Sequence, residues 1–176
     1  MTNTNFTRIK VPSTPVSIDD HAQMMPLLMV LETASGTIKG NSTTKGFENQ
    51  HPLMAIDWCL SRLTDIKGAS HHQISDEGFR IVLPADTAAK VGLLQALLLK
   101  EPVKKITINI VDVSNKIPTL LYYYELDTSL VTDFSVDTLL YLGSGIAVTF
   151  NADKITLNDQ ISKQSTSYSK SQQSSV

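Results

Sequence analysis

His71 and His72 are the side chains of this chain that come nearest to a metal site, because imidazole nitrogens are common zinc ligands. Adjacent residues on an extended segment point to opposite sides, and no Cys or carboxylate stands at ligand spacing. The pair is therefore read as part of a polar loop. Cys59 is the lone thiol. Flanked by Trp58 and Leu60, it reads as a small buried hydrophobe and not as a nucleophile. His21 and His51 stand beside Asp20 and Pro52 with no nucleophile close by, and no strand-to-helix elbow presents a serine. Gly143-Ser144-Gly145 follows an apolar run and precedes a strand, so it reads as a turn; a phosphate-cradling loop would open a helix. Tyr122, Tyr123 and Tyr124 could stack nucleobases, but basic companions are missing, and Lys104-Lys105 is read as a solvated strand end. The residues predict no catalytic site, no metal and no cofactor, so the chain is read as something other than an enzyme.

What those residues sit on is mostly strand. Residues 27–32 form a continuous apolar run, 53–63 alternate loosely, and 105–110 alternate with period two. Residues 120–126 and 130–136 read as two further strands, and 146–150 with 154–157 as a closing pair. One compact helix is predicted over 87–100, after the strand at 79–83. Asp86 or Thr87 would cap it, Val91, Leu94, Leu97 and Leu98 give it apolar faces, and Pro102 forbids its continuation. The segment 64–78 reads as a long polar loop of the kind that is functional or disordered.

Three regions follow: an N-terminal arm at 1–24, a folded body at 25–158, and a tail at 159–176. In that tail 11 of 18 residues are Ser or Gln, so it buries too little apolar surface to offset chain entropy and is expected to be disordered. With 176 residues, 41% hydrophobic content and a net charge of −2, the body is an ordinary globular one. It has no electrostatic footprint for nucleic acid or an anionic membrane. The longest apolar run, 24–31, contains Pro26 and is far too short to span a bilayer. Residues 1–17 lack the apolar region of a Sec signal, and a single cysteine leaves no internal disulfide. The expectation is a chain made soluble in the cytoplasm, with export left open to a leaderless route.

Several elements are apolar on both faces. Residues 120–124 and 139–142 show no polar alternate, and only Lys90, Gln95 and Lys100 interrupt the helix surface. Such surfaces fit either a well-covered two-layer core or an oligomer that covers them. On the oligomer reading, Val91, Leu94, Leu98, Leu121, Tyr123, His71 and His72 are the candidate interface residues.

Laid out in order, these segments resemble the haemolysin co-regulated protein (Hcp) family of type VI secretion. Residues 36–43, Gly-Thr-Ile-Lys-Gly-Asn-Ser-Thr, are similar to the family's Gly-x-x-Gly-Glu-Ser pattern, with Asn41 where Glu is usual. Residues 79–100 are similar to its strand, Asp, helix segment, with Asp86 at the Asp position. Leu130-Val131-Thr132-Asp133-Phe134-Ser135 resembles its Leu-Val-Ser-Ser-x-Ser strand, and Val148-Thr149-Phe150 with Lys154-Ile155 its closing strands. Ala89-Lys90 replaces the usual Ser-Pro, and Glu101-Pro102 the usual helix-ending Gly. The resemblance implies a mainly β fold, a compact β-barrel of two antiparallel sheets with one flanking helix. It also implies six copies joined head-to-tail in a ring, rings stacked into an exported tube, and sheath, spike and effector proteins as partners. Two other readings stay open: a monomeric or dimeric β-barrel that binds a ligand or carries an effector, and a phage tail-tube subunit.

Overall fold

Runs of branched and aromatic residues, which suit a pleated surface, become nine strands among residues 25–64, 70–139 and 143–172, the parts of the chain that the computed structural model describes. They are β1 (Leu27–Thr33), β2 (Gly36–Ile38), β3 (His51–Leu53), β4 (Ala55–Thr64), β5 (Ser70–Pro84), β6 (Val103–Asp112), β7 (Thr119–Leu139), β8 (Gly143–Asp159) and β9 (Gln164–Ser169). One helix, α1 (Ala89–Leu99), stands between β5 and β6, and a 3-10 turn, Lys170–Gln172, follows β9. The expected N-terminal arm and His21 lie outside the described residues, as do 65–69, 140–142 and the side chains of His71 and His72.

The strands form one antiparallel sheet in the order β2-β1-β6-β7-β8-β5-β4, with β3 on β1 and β9 on β8. The mainly β architecture with one flanking helix is as the sequence predicts. Among the described residues no ladder joins the end strands β2 and β4. Residues 51–64 turn a corner instead. β3 pairs with β1 through Leu27↔Leu53; then the Met54 N–H donates to Val82 O at 2.8 Å, and β4 pairs with β5 from Ala55↔Val82.

Four expected strands prove to be two. Residues 120–126 and 130–136 are one strand, β7, which passes through Thr128 at φ 46° and a bulge between Val131 and Asp133. Residues 146–150 and 154–157 are likewise one strand, β8, and Gly143-Ser144-Gly145 is its beginning, not a turn, pairing with Leu139, Thr138 and Asp137. Short polar stretches interrupted the pattern without interrupting the ladder, because a strand with one wet face tolerates them. The loop expected over 64–78 is largely a hairpin, β4 with β5, paired out to Thr64↔Ser70. The tail differs too. Residues 164–169 add β9 to β8 and Lys170–Gln172 form a 3-10 turn, because an antiparallel partner satisfies Ser/Thr/Gln backbone that composition alone leaves to solvent.

Phe79, Ile81 and Leu83 of β5, Ile106 and Ile108 of β6, Leu126 of β7 and Val148 and Phe150 of β8 are fully buried together. Helix α1 adds Ala89, Leu93 and Ala96 to that core, and full burial of a leucine stabilises by about 2 kcal/mol. Trp58 stacks on Phe79, and Tyr124 meets both rings edge-on, with ring centroids 5.4 to 6.1 Å apart.

The helix starts two residues later than the sequence predicts. Its N-cap position falls on Ala88, which has no side chain to cap with, so Asp86 does not fill that role. Thr87 supports the start from outside the helix: its Oγ1 accepts from the Ala89 N–H at 3.3 Å. The far end closes on Lys100, left-handed at φ 54°, where the Lys100 and Glu101 N–H groups turn back to Leu97 O and Ala96 O. Before α1, the chain from Gly40 to Gln50 folds on itself: Gly40 N–H donates to Asn49 O at 2.7 Å and Ser42 N–H to Gln50 O at 2.9 Å. A Cβ on Gly40 would lie 2.2 Å from Gln50 O, a backbone atom that cannot swing aside. Gly40→Ala should therefore destabilise by about 1–3 kcal/mol, the usual scale for overpacking, and lower the midpoint of urea unfolding. An unchanged midpoint would show that the 40–50 loop relaxes freely.

Candidate functional site

Helix α1 is apolar nearly all round but buries one side only. Ala89, Leu93 and Ala96 face the sheet, while Val91, Leu94 and Leu98 are 61%, 38% and 70% exposed. The last three recur at i, i+3 and i+7, so they share one face. Leu99, 63% exposed, widens it; the Leu97-Leu98-Leu99 run was the signal that could have found it. Beside it an open groove runs between the hairpin β1–β2 and the end of α1, lined by Ser35, Ile38, Gly92, Gln95 and Glu101.

The other assigned interface residues are scattered. Leu121 and Tyr123 are half-buried on β7, and Leu121 packs against the core cluster. His71 and His72 sit on strand β5, not in a loop, and their side chains lie outside the described residues. Cys59 is exposed, against the expectation of a buried thiol: it lies on edge strand β4 at the register shift between Trp58 and Leu60. Among the described residues no group of three or more His, Cys, Asp or Glu side chains could hold a metal ion. No described helix is long and apolar enough to cross a membrane. Lys105, of the basic pair, is ion-paired to Glu125 on β7, whose hydrogen bond raises the ammonium pKa.

His51, which the sequence leaves without a partner, is the hub of a buried polar chain. It is 1% exposed. Its Nε2–H donates to Ile38 O at 2.9 Å, and its Nδ1 accepts from the Thr87 hydroxyl at 3.5 Å. Thr87 Oγ1 in turn accepts from the Ala89 N–H. One imidazole thus joins β2, β3 and the first residue of α1. Three sequence-distant segments meet there, so no local pattern could show it. Burial holds the His51 pKa below its ordinary value, outweighing the Ile38 carbonyl that favours the charged ring.

Two outcomes are expected. Thr87→Val removes the hydroxyl from this chain and should cost about 1–3 kcal/mol, whereas Asp86→Ala should leave the thermal midpoint within error. Because the folded pKa of His51 is depressed, the unfolded chain binds the extra proton first. Stability is therefore full above the unfolded value of about 6.5 and falls as pH drops below it towards the folded pKa. His51→Gln should flatten the melting profile below about pH 6.5. A slope equal to wild type would place the acid sensitivity elsewhere.

Comparison with known proteins falls on this whole body. The family described as "Type VI secretion system effector, Hcp" matches residues 29–173. Among solved structures, the Hcp1 protein of E. coli EAEC 042 superposes with a TM-score of 0.74 at 16% identity, covering 82% of this chain and 98% of that one. A type VI secretion system effector from Yersinia pestis gives 0.63 at 17%, covering 81% and 98%. The secreted protein Hcp3 of Pseudomonas aeruginosa gives 0.62 at 19%, covering 82% and 97%. At these identities the structures share the fold. No curated protein sequence matched.

Proposed function

The chain belongs to the Hcp family of type VI secretion proteins, and from that premise we propose that it is a tube subunit that closes into a ring of six copies joined head-to-tail. The observation that carries the proposal is the outer face of α1, where Val91, Leu94 and Leu98 stand exposed together on one stripe with Leu99 beside them. A heterologous contact of that face with a different surface of the next copy closes into a ring when the rotation fits. The hairpin β4–β5, which carries His71 and His72, is assigned to contacts with a neighbouring subunit or ring. The tube is then exported with the sheath, spike and effector proteins of the system as partners. The subunit is structural and performs no reaction.

Charge on the helix face tests this. Val91→Glu with Leu98→Glu alters exposed positions only, so the melting midpoint should stay within a few degrees. Native mass measurement should find six copies for the wild type and single chains for the variant. A wild type that sediments only as a monomer at micromolar concentration, or as a two-fold dimer, overturns the ring and favours a binding barrel.

A further inference from the structure

Strand β8 shares one edge between two partners. Residues 145–150 pair with β5 out to Phe79↔Phe150, and residues 154–159 pair with β9 from Lys154↔Ser169 to Asp159↔Gln164. Between these ladders β5 leaves β8 at Gly78, held at φ +88°, where a Cβ would lie 2.9 Å from Thr149 Cγ2 and 3.1 Å from Phe150 O. Asp76 sits at this junction with its side chain 3% exposed. Its Oδ1 accepts from the Gly78 N–H at 3.0 Å and from Trp58 Nε1–H at 3.4 Å. Its Oδ2 is buried without a hydrogen bond, and Lys170 Nζ, just past β9, stands 3.5 Å away as an ion pair.

The rest of the C-terminal segment is lightly held. From Gln164 to Ser167 it is exposed, and Tyr168 alone in β9 is buried, at 9%. Burial raises the Tyr168 pKa and the Asp76 charge adds to it, which places the phenol in the field of the same carboxylate. The turn into β9 is built independently: Asp159 accepts from the Ile161 and Ser162 N–H groups at 2.8 and 3.1 Å.

The geometry points to β9 and the turn after it as a detachable strap over the 154–159 edge of β8, latched by the Lys170–Asp76 ion pair. Few apolar contacts hold the strap, so it opens below the free energy of global unfolding. The latch is strong relative to the strap because losing Lys170 leaves a buried carboxylate oxygen with neither a counter-charge nor a donor among the described residues. Opening bares the β8 edge, a row of backbone groups free to pair with another strand. This device is separate from the face on α1 and does not depend on ring closure.

Hydrogen exchange on the full-length chain, read by mass spectrometry, tests it. Lys170→Glu should speed exchange over 164–169 by roughly tenfold or more and leave 106–110 of β6 at the wild-type rate. Lys170→Arg, which keeps the cation, should retain protection. Lys170→Gln gives the same reading if the reversed charge prevents folding. Unchanged exchange over 164–169 in both Glu and Gln variants overturns the latch. Equal loss of protection in β6 overturns the strap, since β9 would then belong to the cooperative core.

Discussion

The sheet depends on β8. Over 17 residues it pairs with β7 on one side and with two successive strands on the other, while Ile146, Val148, Phe150, Ala152 and Ile155 turn inward. The register on either side is pinned once that inward set is buried, because a slip of one residue would turn those side chains away from the core face they pack on. β5 carries Phe79 and Ile81 to the same interior, and β6 reaches it through β7. Helix α1 can then lie on the sheet by one stripe alone, which is why its opposite stripe stays wet.

Polar side chains in the interior serve structure: His51 joins three segments, and the Asn109 amide donates to Gln50 Oε1 at 2.9 Å at the end of the Gly40 loop. Ser129 is fully buried with an unsatisfied hydroxyl, on the long strand β7 where Val103 and Ala152 flank it. None of these groups combines a nucleophile, a base and an open pocket.

Much of the fold was legible. A continuous apolar run located β1, alternation located β6, Pro102 marked the end of α1, and the apolar surface of the helix pointed to its exposed face. Gly40 stands where the family pattern has its second glycine, and the structure supplies the reason in the approach of Gln50. Other features were not local and could not be read. The merger of four expected strands into β7 and β8 depends on neighbours that keep polar residues in the ladder. The pairing of β9 depends on β8, and the contact of Thr87, itself a cap candidate in the sequence, with His51 spans 36 residues. Cys59 misled because apolar neighbours in sequence, on an edge strand, need not be neighbours in a core.

The pairing of β1 with β6 has a kinetic side. Glu32 meets Lys105 only after β2 to β5 and α1 have come between them in the chain. Closing that span costs loop entropy before the ladder returns any free energy, which places folding at the slow, nonlocal end of the range for single domains. Hairpins such as β4–β5 and the local turn of α1 can form while β1 still waits. A nascent chain can pair residues 27–33 with β2 and β3 on one edge, but their other edge stays open for as long as it takes the ribosome to deliver residues 103–112.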